Sequence, residues 1–140
     1  MKIKVIERDS MCFIHITDTP EPFRSRQDAI NIILSHEHRS IAGFIINETC
    51  FHPDFFRLKT GIAGEMLQIF VNYRVKIAIL GDMTKYTNTS TSLRAFIVES
   101  HRNNPLFFVS EINDAIRYLS STKNPPKEMA KTKSPPTKRG

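Results

Sequence analysis

Two short, almost uninterrupted apolar runs, Ile41–Ile46 and Val75–Leu80, dominate the middle of the chain. Runs that short and that apolar read as strands buried on both faces, which belong to the interior of a parallel sheet. Parallel neighbours cannot be joined by a tight turn, and the usual crossover is a helix. The intervening segment supplies one. From about Leu58 to Tyr73, the residues Ile62, Met66, Leu67, Phe70 and Val71 recur at helical spacing, with Gly61, Glu65, Gln68 and Asn72 on the opposite face.

The same alternation extends both ways. Ile3, Val5 and the run Met11–Ile16 read as two strands around the polar turn Arg8-Asp9-Ser10, so one antiparallel edge pairing is expected. Thr17–Phe23 is a proline-containing loop. A helix then follows, with Ser25 as N-cap, Asp28 three residues on, and Ala29, Ile30, Ile33 and Leu34 facing inward. Cys50–Phe56 reads as a loop or single turn. A polar stretch, Met83–Ser90, leads to a helix with Leu93, Phe96 and Ile97 inward. Phe107–Val109 is a strand, and Ser110 caps a last helix with the stripe Ile112, Ala115, Ile116 and Leu119. The order β-β-α-β-α-β-α-β-α predicts an α/β domain over residues 1–120. Its sheet is mixed and mostly parallel, with about five strands and about four helices.

Composition bounds the function classes. The formal net charge is +6, and residues 121–140 hold six basic residues against Glu128, a balance of +5, leaving +1 for the other 120. The high pI therefore belongs to the tail. The tail carries Pro125, Pro126, Pro135 and Pro136 and no aromatic residue, so it is expected to be disordered. Nucleic acid is expected as a partner only through this tail, by weak, salt-sensitive, sequence-independent attraction. No apolar run approaches the roughly 18 residues that cross a bilayer, and the N-terminus lacks the apolar core of a signal peptide. No membrane partner is expected, and the location read from the sequence is cytoplasmic. Cys12 and Cys50 form no C-x-x-C and read as reduced thiols.

Several segments together carry a resemblance. They are Pro53-Asp54-Phe55-Phe56-x-Leu58-Lys59-Thr60-Gly61-x-Ala63-Gly64-Glu65, then Asn72-Tyr73-Arg74, Ala78-Ile79-x-Gly81-Asp82, Ser92-Leu93-Arg94-x-Phe96-Ile97-x-Glu99-Ser100 and Phe107-Phe108. The chain resembles the bacterial domain-of-unknown-function family numbered 4180 from about residue 2 to 120. That family implies no activity and no catalytic residues. The element order is also similar to STAS domains. That resemblance implies a regulatory module and a phosphorylated Ser or Thr after the central strand, for which Thr60 is the nearest equivalent.

In an open α/β sheet, ligands bind beyond the carboxyl ends of the strands. Asn47–Gly61 and Gly81–Ser92 leave those ends. If the two apolar strands are neighbours, Thr60, Gly61, Asp82, Thr84, Tyr86 and Ser92 share one edge, suited to a protein partner or a small anionic ligand. Small residues at Thr60–Gly64 could open helix amides to an anion, or could let the helix lie close to its neighbours. Asp82 could orient a ligand or cap the next turn. An enzyme would use Asp82 with Glu65, Glu99 or Tyr86 nearby. The aromatics of Phe51–Phe56 read either as a recognition surface or, by preference, as core under the loop. His36 and His38, two apart, point in different directions on a helix, and no metal site or cofactor is expected.

Overall fold

Asp9 and Ser10 both adopt positive φ, 55° and 66°, and so close a two-residue hairpin. Its arms are β1 (Lys2–Arg8) and β2 (Met11–Asp18), paired antiparallel. The computed structural model describes residues 1–35, 40–103 and 105–121. The His36/His38 pair and all of the expected tail beyond Ser121 lie outside them.

Three crossovers follow the hairpin. Helix α1 (Arg26–Leu34) starts where the Ser25 side chain accepts from the Asp28 N–H, and it leads to β3 (Gly43–Asn47). Helix α2 (Ile62–Asn72) leads to β4 (Ile77–Leu80). A one-turn helix α3 (Thr84–Thr87) and the longer α4 (Thr91–Asn103) lead to β5 (Leu106–Val109), and α5 (Ile112–Ser120) ends the fold. The sheet order is β1-β2-β3-β4-β5, parallel from β2 onward. The expected α/β class with a mixed, mostly parallel five-stranded sheet is what the chain forms.

Period-two alternation sends each parallel strand's apolar residues to both faces. Ile14, Ile16, Phe44, Ile46, Ile77, Ile79, Leu106 and Phe108 join the larger core, under α1, α2 and α4. Phe13, Ile45, Ala78 and Val109 join a smaller core covered by Ala115, Ile116 and Leu119 of α5. All three crossovers therefore lie on one face, as sequential strand order with a constant crossover hand requires.

Several details differ from the sequence reading. The expected helix from Leu58 to Tyr73 is interrupted: Leu58–Thr60 is a 3₁₀ turn, and Gly61 at φ 81° restarts the chain into α2. The buried positions of α2 are Ala63, Met66, Ile69 and Phe70, while Val71 is exposed. In α1 the buried residues are Ala29 and Ile32, and Leu34 is exposed. Periodicity marks an apolar stripe, but the stripe's centre depends on where the sheet and the neighbouring helix lie. Glu111, not Ser110, is the N-cap of α5 and makes no side-chain capping bond. Ser100, inside α4, is fully buried, and its hydroxyl has no partner among the described residues.

The β5 edge is covered by a side chain. His101 Nε2 accepts from the Phe108 N–H at 2.8 Å and lies 3.1 Å from the Phe108 carbonyl. Its ring packs edge-on against Phe107 and Tyr118. Burial lowers the His101 pKa below the usual 6.5, and the nearby Phe108 carbonyl, which would accept from a protonated ring, offsets this only in part. The neutral ring therefore contributes its full stability above pH about 6.5, and that contribution is lost as pH falls through the lower folded value. Melting temperatures measured from pH 7.5 to 5 are expected to fall below pH 6.5, with a shallower fall in His101→Gln. Equal slopes in the two proteins would contradict this role.

Candidate functional site

The register Asn47↔Leu80 sets the exits of β3 and β4 side by side. After Asn47 the chain makes three short 3₁₀ turns, Glu48–Cys50, Pro53–Phe56 and Leu58–Thr60. The first folds Glu48 over β4's exit, where its side chain is only 11% exposed. Gly81 makes the room. A Cβ there would sit 2.1 Å from Glu48 Cγ, on a backbone at φ 153°. Burying a carboxylate is costly unless it is paired. Lys85 of α3 supplies the pair, its Nζ 3.3 Å from Glu48 Oε1. The hydrogen bond and charge of Glu48 raise the Lys85 pKa above its ordinary value. The ammonium also lies 5.3 Å from the centroid of the Tyr86 ring.

Asp82 holds α3 in place. Its Oδ1 accepts from the Thr84 N–H at 2.9 Å and from the Thr84 hydroxyl at 2.7 Å. These bonds, the backbone one first, hold the Asp82 carboxyl below the ordinary range. Tyr86 stacks on Phe56, with ring centroids 4.2 Å apart and planes 13° apart. On the other flank, Asn47 Oδ1 lies 2.8 Å from His15 Nε2, and Asn47 Nδ2 donates to the Thr17 carbonyl. Cys50 is buried beneath, and burial, reinforced by the Asp18 charge, pushes its thiol up to about 11. A thiol so raised is a packed side chain at neutral pH, not a nucleophile.

The expected edge is assembled in part. Asp82, Thr84 and Tyr86 meet on the rim, joined by Glu48 and Lys85, which sequence reasoning missed. A glutamate just after a buried strand carries no signal until the register places it over Gly81. Thr60 has another role. Its hydroxyl lies 2.8 Å from the Asp54 and Arg57 carbonyls and accepts from the Ile62 N–H at 3.3 Å, tying two 3₁₀ turns to the start of α2. Among the described residues, no hydrogen bond joins Thr60 to Asp82. Their segments meet instead through the Phe56–Tyr86 stack. Ser92 is exposed in the first turn of α4, and Ser90 makes the capping bond, its Oγ accepting from the Leu93 N–H. Asp82, Glu65 and Glu99 are all exposed, each on a different segment.

The phenylalanine loop is core. Phe51, Phe55 and Phe56 are nearly fully buried, and Phe23 joins them through an isolated parallel bridge to Phe51. The close-packing reading of Gly61 and Gly64 is overturned: a Cβ at either would meet nothing within 4 Å. Gly61 is required by its left-handed backbone, whereas Gly64 only weakens an exposed helix turn. Gly64→Ala is expected to raise stability by about 0.7 kcal/mol, and Gly61→Ala to lower it by about 1 kcal/mol, in urea unfolding. The opposite order would show that Gly64 serves a contact.

What fold and rim together define is an open α/β domain whose polar strand exits are bonded to one another. The chain belongs to the family described as Domain of unknown function (DUF4180), whose model matches residues 8–119. No curated protein and no solved structure matches it, so the STAS-like resemblance gains no support. Among the described residues, no helix is long and apolar enough to cross a membrane, and no group of three or more His, Cys, Asp or Glu could hold a metal ion.

Proposed function

We propose that this domain is a small interaction module that docks a protein partner, or a small anionic ligand, on the rim formed by Asp82, Thr84, Lys85 and Tyr86. The observation that carries this reading is Lys85: its ammonium is fixed by buried Glu48 while its side chain remains 57% exposed. A cation held in place from below loses little freedom when an anionic group binds from above, and such preorganisation favours binding. Asp82 adds rigidity, because it is already committed to holding α3.

The test is affinity capture with the full chain, followed by mass spectrometry of captured proteins and small molecules. The Asp82→Asn/Lys85→Met double variant should keep the sheet and main helices by circular dichroism, melt at a lower temperature because Glu48 loses its partner, and lose the specific captures. Identical captures by the parent and the double variant would remove the rim from consideration.

A further inference from the structure

The two edges of the sheet are finished differently. On β5, His101 already occupies the outward N–H of Phe108 and lies against its C=O. On β1, among the described residues, only β2 pairs with the strand, leaving a seven-residue outer edge. The two-residue turn makes Arg8 and Met11 a hydrogen-bonded pair, so by alternation Ile3, Val5 and Glu7 direct their amides outward. The same alternation puts Lys2, Lys4, Ile6 and Arg8 on the α5 face, where Ile6 joins the smaller core. Ile3 and Val5 take the other face, with Val5 45% exposed.

The charges on this edge have few partners. Lys4 faces His15 across the ladder, and Arg8 donates to Asn113 of α5. Asp18, opposite Lys2 at the register shift, accepts from the Thr19 N–H. No ion pair to Lys2 or Lys4 forms among the described residues. Open edges are normally a hazard, and lysines on them are one device that blocks pairing with like edges.

That device also selects. Two copies pairing antiparallel through their outward amides can match Ile3 with Val5, Val5 with Val5 or Val5 with Glu7. The first puts Lys4 opposite Lys4, the second Lys2 opposite Arg8, and the third Lys4 opposite Arg8. Each of these registers therefore opposes like charges, which destabilises it. An acidic strand meets the reverse condition. A nucleic acid could match the lysines, but it has no amide ladder to satisfy the outward N–H and C=O groups.

We propose that the outer edge of β1 docks an extended acidic segment of another protein, which adds to the sheet as a further strand. Its carboxylates lie opposite Lys2 and Lys4, and a small apolar side chain covers Val5. Main-chain hydrogen bonds supply affinity, and the alternating side chains supply specificity. This surface is separate from the rim, and its test does not depend on that reading.

The full chain is titrated with an octapeptide of alternating glutamate and valine, with its lysine–valine counterpart and with an octathymidine strand, reading backbone amide shifts. The glutamate–valine peptide should bind, with its largest shifts at residues 3–7. Lys2→Glu/Lys4→Glu should bind it about tenfold more weakly and gain affinity for the lysine–valine peptide. Val5→Pro removes an outward N–H without touching the β2 ladder and should abolish binding while the domain still melts cooperatively. If Val5→Pro fails to fold, the charge-reversed variant decides alone. The proposal is overturned if the glutamate–valine peptide does not bind, if its shifts fall away from β1, if charge reversal leaves its affinity unchanged, or if octathymidine binds as tightly.

Discussion

Replacing Gly81 by alanine is expected to lower the stability of the domain by roughly 3 kcal/mol and its melting temperature by about 10 °C. The added methyl would sit 2.1 Å from Glu48 Cγ, well inside contact distance. Glu48 would have to swing away, losing its Lys85 partner and its place under the rim. The backbone at φ 153° adds strain of its own. Because the clash is with one side chain, shortening that side chain should relieve it: Glu48→Ala in the Gly81→Ala background is expected to recover part of the loss. Differential scanning calorimetry of the three proteins measures this. A melting temperature for Gly81→Ala within about 2 °C of the parent would mean that Glu48 moves aside freely and that the rim is not fixed.

Phe55→Ala should cost about 4 kcal/mol in urea unfolding, the range for a large side chain removed from a packed core. Phe55 is 1% exposed, with ring centroids 4.5 Å from Phe51 and 5.1 Å from Phe56. Its loss leaves a cavity bordered by rings that cannot all collapse into it. Phe56 in turn carries Tyr86, so the same substitution should loosen the rim as well as the core. A loss below about 1 kcal/mol would return these aromatics to the surface-recognition reading.

How much was legible depended on whether the signal was local. The hairpin turn, the two buried strands and the stripe of α5 follow from residue type and spacing, because each needs only neighbours along the chain. The restart of α2 at Gly61 was not legible, because a left-handed glycine after Thr60 resembles any helical glycine until the Thr60 hydroxyl is seen capping Ile62. One-turn α3 was likewise hidden, since its order comes from Asp82 and Lys85 contacts and not from any apolar period.

The candidate site divides the same way. Its location at the strand exits followed from α/β topology, and Asp82, Thr84 and Tyr86 were anticipated there. Glu48 and Lys85 were not, because they are 37 residues apart and meet only through the β3–β4 register.

By itself, the sequence determined the α/β class, the order of the strands and their main crossover helices, and the burial of the central strands, since apolar periodicity constrains each element locally. Tertiary structure alone decided which helix face is centred on the sheet, that Gly81 must yield space to Glu48, and that one sheet edge is covered by His101 while the other, among the described residues, pairs only with β2. Those outcomes depend on which residues are brought opposite one another across the sheet, and pairing at long range is not encoded in any single segment.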